Sequence, residues 1–383
     1  MTSDLFDNPP NRRGSDSLKW GRYSDPDTIP LWVADMDFPS APAILKALHQ
    51  RVDHGVFGYA LATDQLNAAV VHWLQQRYSW DIDPEWLVWL PGLVPALHAA
   101  CQGCCEPHQE VLTFSPVYPP FLAAPATCRR PHRDIPLTRI AGRYTFDLDR
   151  LDHEITKDTR LLLLCHPHNP VGRAFERREL LALAEKCLER DLIICSDEIH
   201  CDLVLNGTAH LPFASLSAEV ADRTITLMSA AKTFNIAGLN CGFAIISNPQ
   251  LRQRFIQAGH GMIPHPNALG YAATQAAYQH GEPWRQQLLT YLRGNHQLLL
   301  DTLRHDLPML TMDPVEATYL AWIDVSQLED HSPKFFEQAG LGFSDGQPFA
   351  DNSHIRLNFG CSRATLQQAL EKLRLAIYGE RKI

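Results

Sequence analysis

The sequence predicts an α/β protein: a large domain built on a mainly parallel mixed sheet between helices, followed by a smaller α+β domain. Two observations carry this. Between Leu87 and Ile246 short apolar runs recur with helical patterns between them, and runs apolar at every position suit strands covered on both faces. Beyond Pro283 the rhythm gives way to one long helical pattern and then to mixed segments. With 383 residues the chain is long enough for two or three domains.

From Met1 to Pro30 the chain is polar, rich in Asp, Arg, Pro and Gly, and has no sustained period. It reads as an extended arm of the kind that packs on a neighbouring subunit. A helix is expected from Pro42, suited to a first turn, to Gly55, suited to a C-terminal cap, with Ile44, Leu45, Leu48 and Val52 on one face. A second runs from Asp64 to Tyr78 through Leu66, Val70, Trp73 and Leu74. The strand runs are Leu87 to Leu90, Val111 to Phe114, Leu161 to Cys165, Leu192 to Cys195, Thr224 to Met228 and Gly242 to Ile246. Helical segments such as Glu176 to Arg190 supply right-handed crossovers between them. A long helix follows around Trp284 to Arg304, then mixed segments at Tyr319 to Val325 and Ile355 to Phe359, and a closing helix from Thr365 to Tyr378. The expected division is an arm and small-domain segment over 1–41, a large domain over 42–282 and a small domain over 283–383.

Composition excludes several classes of function. The net charge is −9 and no Lys/Arg block is present that tracks a phosphate backbone, so nucleic acid is not the expected partner. No stretch reaches the roughly 20 apolar residues of a membrane span, and the opening residues hold no apolar core of a signal peptide. A cytoplasmic location, away from membranes, is expected. The ten cysteines lie mostly inside apolar runs and read as reduced, buried thiols. Cys101, Cys104 and Cys105 lack the second ligand pair of a zinc site, so no metal is expected.

In open α/β sheets ligands sit at the carboxyl ends of the strands, and four such ends are unusually polar. They are Pro91-Gly92-Leu93-Val94, His166-Pro167-His168-Asn169-Pro170, Ser196-Asp197-Glu198-Ile199-His200 and Ser229-Ala230-Ala231-Lys232-Thr233. Of eight lysines, Lys232 alone directly follows a strand run, where desolvation makes an amine nucleophilic. Pyridoxal phosphate (PLP) requires such a lysine, a carboxylate for its ring nitrogen, a donor beside its phenolic oxygen and a dipolar cradle for its phosphate. Lys232, Asp197, Asn169 with His200, and the amides after Gly92 with Ser229 match these needs. An unpaired Asp197 after so apolar a run is costly, so a cationic partner is expected.

These segments resemble the aminotransferase class I and II superfamily of PLP enzymes, fold type I, through Asn169-Pro170-x-Gly172, Asp197-Glu198-x-His200 and Ser229-x-x-Lys232-Thr233-Phe234-Asn235. Closer still is the likeness to its cystathionine β-lyase, or C–S lyase, branch. That rests on Asn11-Arg12-Arg13-Gly14, Trp32-Val33-Ala34-Asp35-Met36-Asp37-Phe38, Phe57-Gly58-Tyr59, Pro116-Val117-Tyr118-Pro119-Pro120 and Arg356-Leu357-Asn358-Phe359-Gly360. The resemblance implies an aspartate aminotransferase-like fold and a homodimer. It implies that Lys232 carries the cofactor, Asp197 pairs with its ring nitrogen, Asn169 bonds its phenolic oxygen, and His200 stands where many aminotransferases have tyrosine. Tyr118 would cover the ring face. Ser229 with the Gly92, Leu93 and Val94 segment would hold the phosphate, joined by Tyr59 from the other subunit. Arg356, with Asn169 and Ala34, would receive the amino-acid substrate, Arg356 by its carboxylate.

Two departures stand out. Asn240 replaces an arginine that many aminotransferases use for the phosphate, and His166 and Ala231 replace residues usual in the branch; both of the latter are expected close to the site. The expected reaction is β-elimination from cystathionine or another cysteine S-conjugate, yielding thiol, pyruvate and ammonia. Transamination, and a regulatory protein that retains the fold, are the competing readings.

Overall fold

The computed structural model describes residues 4–379. A seven-stranded sheet forms the centre: β1 (Leu87–Leu90), β2 (Glu110–Ser115), β3 (His132–Pro136), β4 (Thr159–Cys165), β5 (Ile193–Asp197), β6 (Thr224–Met228) and β7 (Gly242–Ile245). Its order is β1-β7-β6-β5-β4-β2-β3, and only β7 runs antiparallel to its neighbours. Side-chain alternation explains why the strand sequences are apolar throughout. In β4, Leu161, Leu163 and Cys165 enter one apolar cluster while Leu162 and Leu164 enter another on the opposite face.

Helices cover both faces. In chain order the principal ones are α1 (Pro42–Asp53), α2 (Asp64–Tyr78), α3 (Leu93–Cys104), α4 (Pro119–Thr127), α5 (Arg177–Glu189), α6 (Pro249–Gly259), α7 (Ala268–His280), α8 (Glu282–Asp306) and α9 (Arg363–Tyr378). Leu93, Leu97 and Cys101 of α3 pack with Leu251 and Phe255 of α6 on one side of the sheet, and Leu180, Leu183 and Cys187 of α5 on the other. The second sheet has strands β8 (Thr311–Met312), β9 (Leu320–Asp324), β10 (Ser344–Asp345) and β11 (His354–Asn358), in the order β8-β9-β11-β10, all antiparallel. No helix among the described residues is long and apolar enough to cross a membrane.

The principal elements agree with the sequence reading to within a few residues. The first helix stops at Asp53, and Gly55 lies one residue beyond the cap His54 with φ of +76°, the left-handed conformation that glycine adopts without cost. Strand β3 was not expected: it lies at the sheet edge and reads HRDIP, too polar to register as a buried run.

The described part of the N-terminal arm is built into the fold. It folds onto its own chain. Phe6 is buried against Phe38, Trp284 and Tyr291. Lys19 is fully buried, its Nζ 3.0 Å from an Asp37 oxygen, while Arg12 reaches Asp35 at 2.8 Å and Asp37 at 3.0 Å. Ile29–Pro30 then pairs in parallel with Leu341–Gly342, tying the arm to the C-terminal region.

Candidate active site

The site is assembled from strand ends. Asp197 closes β5, paired in register with Cys165 at the end of β4, and Asn169 follows Cys165 in the next loop. The Asp197 carboxylate is buried and accepts one backbone hydrogen bond, from Ile199 N at 3.1 Å. Burial drives its pKa up to about 7, the Ile199 bond opposing, with Glu198 adding repulsion and Lys232 giving partial relief. A carboxylate in this state lacks a cation of its own.

Lys232 lies in the loop after β6, half-buried. Its Nζ donates to the Ala34 carbonyl at 2.6 Å. Desolvation, reinforced by Arg356, lowers its pKa to about 8, with Asp35 and Asp197 opposing. His200 is buried; desolvation, reinforced by the charges of Lys232 and Arg356, holds it neutral at a pKa of about 3, and its Nδ1 has no hydrogen-bond partner.

Arg356 sits on β11, its side chain buried. Nη1 donates to Asn169 Oδ1 at 2.9 Å; Nη2 donates to the Trp32 carbonyl at 3.0 Å and Ser344 Oγ at 3.3 Å. The guanidinium lies 4.7 Å over the Phe349 ring, and Nε is unpartnered. Desolvation brings its pKa down to about 10, which still leaves it charged at neutral pH. Tyr118 caps the N-terminus of α4, its backbone N donating to Asn169 O at 3.0 Å. Its hydroxyl is pushed toward the neutral form by burial and interacts with Arg356 and Asp197.

At the other end, Gly92 is the N-cap of the 12-residue α3. Gly242 on β7 brings this segment to Ser229: a Cβ at 242 would meet Leu93 Cδ2 at 2.8 Å and Ser229 Cβ at 3.4 Å. Ser229 Oγ donates to Cys241 O at 2.6 Å and accepts from Ala231 N at 3.0 Å. Val94 is partly exposed on the first turn of α3, and Tyr59 is fully exposed in the single chain, in a loop with Val56, Phe57 and Leu61.

The segment Trp32 to Phe38 is the seam between the lysine loop and the arginine strand. Asn235, at φ of +56°, donates to the carbonyls of Met36 and Phe38 and accepts from Met36 N. Asn358 donates to the carbonyls of Val33 and Asp35, both at 2.6 Å. Tyr319 Oη donates to the same Ala34 oxygen that receives Lys232. Asn235, Asn358, Tyr319 and Ser344 were given no role from sequence; Asn235 and Asn358 lie in the motifs quoted above, whereas Tyr319 and Ser344 carry no local signal.

One departure, His166, proves to lie away from the cluster around Lys232. His166 packs its ring 4.5 Å from His210 and hydrogen-bonds Leu211 O at 3.2 Å. His210 in turn bonds buried Glu198 at 2.6 Å, so the adjacency of His166 to Asn169 in sequence does not place its ring among the substrate-facing groups. Asn240 is exposed, in a left-handed cap with φ of +50°. Ala231 instead stays next to the site through its amide bond to Ser229. His168 is braced between the carbonyls of Cys165 and Pro116.

The sequence matches the family model for aminotransferase class I and II over residues 26–373. The chain belongs to that family. Within it, similarity extends over nearly full length to cystathionine beta-lyase PatB of Bacillus subtilis (strain 168), at 38% identity covering 97% of this chain and 99% of PatB. The solved structure of OvoB superimposes with a TM-score of 0.95 at 45% identity, covering 98% of this chain and 100% of that one. The PLP-bound C-S lyase from Staphylococcus hominis gives a TM-score of 0.91 at 33% identity, covering 97% and 98%.

Proposed function

We propose that this protein is a PLP-dependent C–S β-lyase that cleaves cystathionine or a related cysteine S-conjugate to a thiol, pyruvate and ammonia. The observation that carries the reading is the pairing of a desolvated amine, Lys232, with a buried carboxylate, Asp197, that lacks its own cation. Full-length similarity to PatB and to a PLP-bound C-S lyase supports the same chemistry.

The residues fit the cofactor. Asp197 would hold a protonated ring nitrogen, which supplies the missing positive charge. The unpartnered His200 Nδ1 and the space above Gly92, where an added Cβ would meet only Pro95 Cδ at 3.9 Å, leave polar groups and room for a ligand. The N-terminus of α3 with Ser229 would hold the phosphate, and Tyr118 would cover the ring. When bound, PLP supplies an electrophilic aldehyde and a ring that withdraws electrons from the substrate Cα.

The protein's own groups do the rest. Arg356 fixes the substrate carboxylate, so that Cα is presented in one orientation. The Lys232 amine, with a pKa near neutrality, accepts the Cα proton. Departure of the thiolate from Cβ and hydrolysis of the remaining three-carbon unit give pyruvate and ammonia. Tyr59, fully exposed here, fits a role across a homodimer interface, and with it the exposed Val56, Phe57 and Leu61 would be covered. We place the large domain at 42–282 and the small one at 1–41 with 283–383, and the protein in the cytoplasm.

Purified protein saturated with PLP and given cystathionine is expected to release thiol and pyruvate in equal amounts. Formation of a sulfur-retaining keto acid without thiol would identify transamination instead. Retention of a biological effect by a Lys232→Ala protein devoid of activity would favour a regulatory role.

A further inference from the structure

A cleft that shares no residue with the proposed cofactor and substrate site lies between the end of α2, the first turns of α8 and the loop after β5. It encloses about 360 Å³, room for a small metabolite. Three arginines line it: Arg77 near the end of α2, and Arg285 and Arg293 on α8. Glu282 is the one acidic residue of the lining. Three arginines less one glutamate leave a formal excess of two positive charges.

The hydrogen bonds within the cleft do not remove that excess. Glu282 Oε1 accepts from Arg77 Nη1 at 3.2 Å, from Arg285 Nη2 at 2.9 Å and from Gln286 Nε2 at 2.9 Å. Glu282 Oε2 accepts from Arg285 Nε at 2.7 Å. A single carboxylate thus serves two guanidiniums. Buried Arg285 gives Nη1 to the Asp202 carbonyl at 2.7 Å, and the Asp202 carboxylate is occupied by Trp73 and Tyr78. Arg293, exposed at the rim, donates Nε to the Leu205 carbonyl at 2.7 Å, a neutral acceptor that leaves its charge unpaired.

Two buried polar atoms of the lining also lack partners. One is Arg77 Nε. The other is Nδ1 of His210, a residue only 4% exposed. His210 Nε2 is committed to Glu198 Oε2 at 2.6 Å, so Nδ1 is the ring atom left over. Native proteins keep few buried polar atoms unpaired, because each forfeits its bonds to water. Unpaired atoms and surplus cation at one cleft call for the same kind of occupant.

We propose that this cleft binds a small dianionic oxyanion compound, a dicarboxylate or a phosphate ester, with Arg77 and Arg293 as its principal contacts. Guanidinium forks match the oxygen spacing of carboxylate and phosphate groups, and a dianion balances the two surplus charges. This goes beyond the lyase reading and does not depend on it, because occupancy is read without turnover.

The test uses the full-length protein saturated with PLP, so that the proposed phosphate cradle at α3 is already filled. Calorimetric titration with succinate and, separately, with inorganic phosphate, at low and constant ionic strength, is expected to show a single site with Kd in the millimolar range or tighter. Arg293→Gln removes a charge at the rim and should weaken binding about tenfold or more. Thr208→Glu places a carboxylate on an exposed residue of the lining and should abolish binding by repulsion. Sodium chloride is the control for general screening. Binding of phosphate alone would support the site and assign it to phosphate esters; binding of succinate alone would support it and assign it to dicarboxylates. No binding of either probe, an equal response to chloride, or affinities that both substitutions leave unchanged would overturn the proposal.

Discussion

Replacing Arg356 by lysine separates charge from geometry at the substrate end of the site. The guanidinium makes three hydrogen bonds, to Asn169 Oδ1, the Trp32 carbonyl and Ser344 Oγ, and stacks on Phe349. A lysine ammonium is a single point charge on a flexible stem and cannot serve these partners and grip a carboxylate at the same time. Losing one charge-assisted hydrogen bond costs about 1.5–3 kcal/mol, which corresponds to a fall of roughly ten- to 150-fold in kcat/KM. Thiol release at varied cystathionine concentration measures it. Because a carboxylate clamp is engaged before as well as during the reaction, the loss should appear mainly in KM. A parallel assay uses the corresponding thioether amine without the α-carboxylate, whose slow turnover Arg356→Lys should barely alter. Equal losses for both compounds, or a loss confined to kcat, would refute the clamp.

Ionisation gives two further tests on protein freed of PLP, each followed by denaturant titration. For Lys232 the folded pKa of about 8 lies below the ordinary 10.5, so the unfolded chain binds more protons between those values. Stability should therefore rise with pH across that window, by at most about 3 kcal/mol, and Lys232→Met should flatten the rise. For Asp197 the folded pKa of about 7 lies above the ordinary 3.8, so the folded chain holds the extra proton. Stability should fall as pH rises from about 4 to 7, and Asp197→Asn should remove the fall. Lys19→Met strips one partner from buried Asp37 and should lower unfolding free energy by about 3 kcal/mol in urea; an unchanged midpoint would mean the arm is not anchored there. Gly281→Ala places a Cβ 2.4 Å from Phe234 Cε1 and 2.5 Å from Ala277 O. A loss of about 1–3 kcal/mol is expected, read as a lower Tm.

The central strands were legible because each is covered on both faces, leaving no polar alternation to confuse them with surface structure. Edge strand β3 and the two-residue strands β8 and β10 were not, since their pairing is set by distant partners and not by their own composition. The arm's attachment to its own chain was not legible for a related reason. Lys19 is buried against Asp37 and half-buried Arg12 pairs with Asp35, and pairing across distant positions leaves no periodic signature. At the site, Lys232, Asp197 and Arg356 are readable as chemical types at strand ends or on a strand. The bonds of Asn235 and Asn358 to a segment some 200 and 320 residues away are products of the fold. His166 shows the converse: proximity in sequence to Asn169 did not make its side chain a neighbour of the substrate groups.

The seam at residues 32–38 offers mostly main-chain oxygens to the lysine loop and the arginine strand. Peptide groups are common to nearly every amino acid, so the distance between the proton-handling amine and the acid-gripping guanidinium is guarded by atoms that substitution seldom removes. Side chains along the segment can then vary while that spacing is kept.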